Sequence, residues 1–199
     1  MKKLIFLLGA TTILQSCVVA GVVAGAEGVK TMAQERSVGD RIDDNGIALR
    51  INDAFVQSNF ADLYADISTT IFEGRVLLTG GVKSEEYRAK AEQLAWGVNG
   101  VAEVINEIQV NQADLADYSK DVYLANAVRS KLLFTKGIKS SNFASTSVNA
   151  IVYILGVAQN EQERSNVIEI ARRVKGVKQV VSHVILTNDP RRTKANPQS

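Results

Sequence analysis

The sequence predicts an α+β protein made of two tandem copies of one αββαβ unit, each a small three-stranded mixed sheet with two helices on one face. Three observations predict it. The chain matches itself at a fixed offset, apolar runs of strand length flank short turn signals, and apolar residues at helical spacing surround each hairpin. With 199 residues, 46% of them hydrophobic and 22% charged, the chain has room for two small domains; disorder throughout and a polytopic membrane protein are both excluded.

The self-match carries the most weight. Val76 to Val110 falls on Val152 to Leu186 at a constant offset of 76 without a gap. Val76-Leu77-Leu78-Thr79-Gly80 then lies on Val152-Tyr153-Ile154-Leu155-Gly156, Glu85 and Arg88 on Glu161 and Arg164, Ala95 on Ala171, and Val98, Gly100, Val101 and Val104 on Val174, Gly176, Val177 and Val180.

Each element follows from local pattern. Asp44 is placed to cap a first helix whose Ile47, Ile51, Ala54 and Phe55 share a face, and the second copy opens the same way with Leu124, Val128, Lys131 and Leu132. Ile67 to Phe72 and Arg75 to Thr79 are strands about the turn Glu73-Gly74, a place held by Asn149-Ala150 in the second copy. A type I′ turn sets its second central residue at positive φ, so Ala150 implies either another turn type or strain of about 1 kcal/mol. Ser84 and Asn160 are N-cap candidates for helices running to about Gly97 and Val174, stopped near Gly100 and Gly176, with Leu94 and Ile170 marking the buried face. Valine-rich strands, Val101 to Val110 and Val177 to Leu186, close the units.

The first residues have the order of an export signal: Lys2 and Lys3, the apolar run Leu4 to Leu14, then Gln15-Ser16 before the only cysteine, Cys17. Leu14-Gln15-Ser16-Cys17 resembles a bacterial lipobox, with Gln15 unusual in second place. That resemblance implies cleavage before Cys17 and a covalent diacylglycerol and N-acyl chain (palmitate) on it. Two or three chains at about 0.8 kcal/mol per buried CH₂ anchor a protein that one holds marginally. Val18 stands where inner-membrane lipoproteins usually carry Asp, which implies the periplasmic face of the outer membrane. An uncleaved anchor is the alternative, since Leu4 to Ala26 has no charge, although Gly9, Gln15, Gly21 and Gly25 make it a mediocre span. The expected organisation is a signal peptide at 1–16, a lipidated tether at 17–43, a first unit at 44–110, a linker at 111–118, a second unit at 119–187 and a flexible tail at 188–199.

A Gly-x-Val after an apolar strand, a helix bearing Glu and Arg, and Val-x-Gly-Val-x-x-Val together resemble the BON domain of bacterial periplasmic and outer-membrane proteins. Two copies behind a lipobox resemble dual-BON outer-membrane lipoproteins of the DolP type. Further likeness lies in Arg36-Ser37-Val38-Gly39, Asp43-Asp44, Val128-Arg129-Ser130-Lys131-Leu132-Leu133, Lys139-Ser140-Ser141-Asn142 and Arg173-Val174-Lys175-Gly176-Val177-Lys178. The resemblance covers roughly Leu14 to Leu186, departing at Ala150, where the pattern favours Gly, and after Thr187. It implies binding of anionic phospholipid through the second BON domain and support of envelope integrity, in some members at the division site, with envelope or division proteins as partners.

Charge supports that expectation. The net charge is +2, yet Asp44 to Tyr118 holds 12 acidic and 5 basic residues and Ser119 to Thr187 holds 10 basic and 4 acidic. An anionic bilayer attracts the second half at about 1 kcal/mol per well-placed Lys or Arg. On the first helix of the second copy, Leu124, Val128 and Leu132 turn inward and a second stripe runs through Lys120, Tyr123, Ala127, Ser130, Lys131 and Phe134. The expected lipid-binding set is that stripe together with Leu124. Tyr123 has an apolar ring with a polar tip, suited to the headgroup level, and sits where the DolP-type pattern carries a membrane-contacting aromatic. The alternative is that Tyr123 and Phe134 pack on the other copy and the lysines are a solvated face, which would suit a protein-protein adapter.

Catalysis finds little material. One histidine and one cysteine cannot form a Cys/His metal cluster, and His183 reads as a half-exposed or hydrogen-bonded strand residue. Asp43-Asp44 and Glu85-Glu86 are adjacent and do not face each other on a helix. Gly80-Gly81 is a strand end, with no phosphate loop. Trp96 reads as inter-domain packing or core. The expectation is a non-enzyme with no metal and no nucleic-acid partner.

Overall fold

The strand Val76-Leu77-Leu78 has no polar-apolar alternation, and in the structure its whole length from Arg75 to Val82 is buried. The computed structural model describes residues 38–58, 67–110 and 118–194; the expected signal peptide, Cys17 and most of the expected tether and linker lie outside them. Helix α1 spans Val38–Gln57, β1 Ile67–Phe72, β2 Arg75–Val82, α2 Glu85–Trp96 and β3 Glu103–Val110. The second unit repeats this order as α3 Tyr118–Phe134, a 3₁₀ turn at Ser140–Asn142, β4 Phe143–Val148, β5 Ile151–Ala158, α4 Glu161–Arg172 and β6 Gln179–Leu186, and a short α5 follows at Arg191–Lys194.

Each sheet has three strands with the hairpin's second strand in the centre, in the orders β1-β2-β3 and β4-β5-β6. The hairpin pairs antiparallel and the strand returning after the helix pairs parallel. Register repeats as well: Ile67 faces Gly80 and Phe143 faces Gly156. A glycine is required at 156, because a Cβ there would run into the Asn142 carbonyl oxygen.

Helices cover one face of each sheet. Ile47, Ile51 and Phe55 of α1 and Ala91 and Ala95 of α2 meet Val76 and Leu78; Leu124, Val128 and Leu132 of α3 and Val167 and Ala171 of α4 meet Val152 and Ile154. On α2 and α4 the fully buried apolar positions are small, Ala91 and Ala95, Val167 and Ala171, whereas Leu94 and Ile170, expected to mark the buried face, are only half-buried beside them. Small residues bring the helix axis close to the sheet, and larger ones fill its flanks. The other faces of the two sheets bury a third cluster against each other, with Phe72 and Leu77 meeting Tyr153, Leu155, Val157 and Ile185. The layers therefore run helix, sheet, sheet, helix, and both central strands are covered on both sides.

Several sequence expectations need correction. α1 starts at Val38, so Asp44 lies inside the helix and the stretch expected as tether to residue 43 is helical from 38. α3 likewise takes in Tyr118, placed at the end of the expected linker. Both hairpin turns have two positive φ values, 52° and 71° at Glu73 and Gly74, 55° and 64° at Asn149 and Ala150. Of the two alternatives at Ala150, strain is the one found. Ser84 and Asn160 both stand at N-caps, but only Asn160 uses its side chain, accepting from the Glu163 amide at 2.9 Å. Glu163 answers by accepting from Gln159 N at 2.7 Å, and its place in the first unit is held by Tyr87, which has no carboxylate. Trp96 is 50% exposed, so it is neither core nor inter-domain packing. Of the tail expected to be flexible, Arg191–Lys194 is helical, started by Asp189, whose carboxylate accepts from Arg191 N at 2.9 Å.

Candidate lipid-docking surface

Helix α3 is set by a buried carboxylate in its first turn. Asp121 accepts from the amides of Asn149 at 2.7 Å and Ala150 at 2.8 Å and from Ser147 Oγ at 2.6 Å, which fastens the helix to the β4–β5 turn. Asp44 does the same for α1, accepting from Glu73 N at 3.0 Å and Gly74 N at 2.9 Å. Sequence reasoning took Asp44 as a helix cap and gave Asp121 no role, because their partners lie some 30 residues away.

With α3 so fixed, Leu124, Val128 and Leu132 are sunk in the core at 1, 0 and 2% exposure. Leu124 therefore cannot reach a membrane, and its place in the expected docking set is withdrawn. The rest of the set lies outside the core: Lys120, Ser130 and Lys131 are exposed, Ala127 is half-buried, and Tyr123 and Phe134 are 63% and 84% exposed. The alternative in which the two aromatic rings pack on the other copy does not hold in this structure.

Ser130, Lys131, Phe134 and Thr135 form one wall of a groove of about 450 Å³ whose opposite wall is Ile170 and Arg173 of the α4 end. The groove pairs an exposed phenyl ring with two cationic side chains from different helices. Arg173 was quoted in the sequence only as part of a motif; its spacing of three from Ile170 was the available signal that both face α3. Farther round α3, Tyr118, Val122 and Leu133 are exposed too, at 76, 41 and 61%, so the helix is apolar well beyond the expected stripe.

The line between the sheets is polar at its rim. His183 is 22% exposed and its Nε2 lies 2.9 Å from Glu107 Oε1, which makes it the hydrogen-bonded strand residue expected. Arg75, 1% exposed, donates to Glu103 Oε2 at 2.5 Å and to the His183 carbonyl at 3.0 Å. Burial pushes the Tyr153 phenol above its ordinary range, although Gln109 donates to its oxygen at 3.3 Å. Among the described residues no helix is long and apolar enough to cross a membrane.

Family comparison matches the BON domain twice, at residues 43–112 and 120–188. The chain belongs to the BON-domain family. It is 34% identical over 91% of its length to Outer membrane lipoprotein DolP of Haemophilus influenzae, covering 94% of that protein, and so is a dual-BON protein of that type. It is also 40% identical over 73% of its length to an uncharacterized protein in the gshII 5′ region of Anaplasma centrale, covering 95% of it. A 21 kDa hemolysin of Actinobacillus pleuropneumoniae is 31% identical over 73% of this chain and 75% of its own. The two matched segments coincide with the two αββαβ units, and the groove between α3 and the α4 end belongs to the second BON domain.

Proposed function

We propose that this protein is a non-enzymatic envelope lipoprotein, held at the periplasmic face of the outer membrane by an acylated Cys17, whose second BON domain docks on anionic phospholipid and thereby supports envelope integrity. The observation that carries the docking step is the exposure of Tyr123 and Phe134 on α3, with Phe134 in one groove with Lys131 and Arg173. An aromatic ring left in water forgoes most of its burial energy, which an interfacial seat returns, while each nearby cation gains about 1 kcal/mol from an anionic surface. The similarity to an outer membrane lipoprotein supports the location, and the Leu14 to Cys17 pattern supports the anchor.

Co-sedimentation of the tether-free protein with phosphatidylglycerol vesicles, against phosphatidylcholine vesicles, tests docking. Tyr123→Glu is expected to abolish most of the binding while changing stability by no more than about 0.5 kcal/mol, because the site is exposed. Binding should also weaken with salt, since the Debye length is only about 10 Å at 0.1 M. Retained binding by a folded Tyr123→Glu variant would remove α3 as the docking element and leave the adapter reading. Mass spectrometry of the mature N-terminus tests the anchor, and an unmodified Cys17 would defeat it.

A further inference from the structure

The segment after β6 is built to hold a shape. The Asp189 amide donates to Leu186 O at 3.0 Å and the Arg192 amide to Asp189 O at 3.1 Å. Asp189 caps α5 and grips the Arg191 guanidinium at 2.8 Å, and Pro190 stands between the cap and the helix, where its fixed φ and missing N–H cost the helix nothing. So ordered, α5 aims two arginines back at the first BON domain. Arg192 makes a two-pronged contact with Glu73, both N···O distances 2.9 Å, and also donates to Thr187 O at 3.0 Å. Glu73 is only 11% exposed at its side chain and Arg192 23%. Arg191 Nη1 lies 3.5 Å from Glu103, the carboxylate that also receives buried Arg75.

These contacts sit at the rim of an apolar junction. The junction supplies the strength, since burying each large side chain is worth about 1.5–3 kcal/mol, but apolar contact is non-directional. The directed bonds that cross it, Arg75 to the His183 carbonyl, Glu107 with His183 and Gln109 to Tyr153, come from within the sheets, whereas α5 grips from outside them. Directed, bidentate charge pairs fix orientation better than they add strength. We propose that the Asp189–Lys194 segment is a clamp that fixes the angle between the two BON domains by seating Arg192 on Glu73 and Arg191 on Glu103. On the docking reading above, the clamp sets where α3 points relative to the first domain; the clamp itself stands whether or not α3 meets lipid.

The test is a pulsed electron-resonance distance measurement on the full chain, in a Cys17→Ser background, with spin labels at Asp53→Cys on α1 and Asn126→Cys on α3, both exposed. The clamped chain is expected to give one narrow distance. Arg191→Ala with Arg192→Ala should broaden it roughly twofold or add a second distance, as when a minor orientation becomes populated, while circular dichroism shows both domains still folded. The exchanged pair Glu73→Arg with Arg192→Glu should restore the narrow distance. A broad distribution in the unaltered chain, an unchanged width in the double alanine variant, or failure of the exchanged pair to restore it would each overturn the clamp. Vesicle binding is measured separately, so loss of docking alone leaves this result standing.

Discussion

The two BON domains share one backbone plan and differ at the groove between their first and second helices. Counting back 77 positions along the first helix, Lys120, Tyr123, Ala127, Ser130, Lys131 and Phe134 of the second domain correspond to Asp43, Gly46, Arg50, Asp53, Ala54 and Gln57 of the first. On the facing helix, counting back 76, Ile170 and Arg173 correspond to Leu94 and Gly97. Where the second domain has the ring of Phe134 and the cations Lys131 and Arg173, the first has Gln57, Ala54 and Gly97, and Asp53 stands in place of Ser130. The buried positions kept their character, Ile47, Ile51 and Phe55 against Leu124, Val128 and Leu132. The fold thus provides the same pair of helices twice, and only the second pair carries the ring and cations that suit the anionic, half-apolar surface proposed for it.

The comparison breaks most severely at the buried carboxylates. Asp121→Ala strips partners from two backbone amides and a hydroxyl and should cost about 3 kcal/mol, against about 2 kcal/mol for Asp44→Ala with its two amides, at 1–3 kcal/mol per unsatisfied buried group with partial rehydration of the turn. Urea titration of each variant measures both.

Giving the second groove the residues of the first domain is the next largest change. Lys131→Ala with Phe134→Gln should lower affinity for phosphatidylglycerol vesicles about tenfold, from one lost cation and one lost interfacial ring, without altering the melting temperature, because both residues are exposed. The helix starts separate the domains more gently. Asn160→Ala should cost about 1 kcal/mol, the usual worth of a working cap, while Ser84→Ala, whose side chain makes no cap bond, should stay within about 0.5 kcal/mol. Smallest of all is Ala150→Gly. Relief of a positive φ is worth about 1 kcal/mol, a buried methyl lost costs about 0.8 kcal/mol, and thermal melts should agree within about 0.5 kcal/mol.

The duplication and nearly all the elements were legible because they rest on local pattern: the fixed offset, the helical spacing of Ile47, Ile51 and Phe55, and the turn pairs at 73–74 and 149–150. What escaped depends on distant partners. Asp44 looked like a cap since nothing in sequence shows that residues 73 and 74 come to meet it. The sheet-on-sheet junction left one unread sign, for Val76-Leu77-Leu78 and Val152 to Val157 are apolar on both faces of the strand, and such strands need cover on both sides. The Asp189-Pro190-Arg191-Arg192 stretch carried a helix-start signal too, but its arginines found a purpose only when Glu73 and Glu103 stood opposite. On the α3 surface, exposure of Tyr123 and Phe134 followed from helical phase, whereas the place of Arg173 in the groove needed the crossing of α3 and α4.

The sheet-on-sheet junction also dictates an order of assembly. Contacts inside each domain close over short stretches, 30 residues for Asp44 to Gly74 and 29 for Asp121 to Ala150, while those across the junction span 76 residues for Glu107 to His183 and 119 for Glu73 to Arg192. Local closure is kinetically cheaper, so each domain can form before the two meet. During that interval Phe72 and Leu77 on one side, or Tyr153, Leu155 and Val157 on the other, face water. Since the bare faces are copies of one design, a neighbouring chain offers each of them a plausible wrong mate. Glu73 and Glu107 lie at the rim of the first face, and His183 and Arg192 stand opposite them on the second. Two first faces meeting would set Glu73 and Glu107 against their own kind, whereas the chain's own second domain offers them Arg192 and the His183 ring.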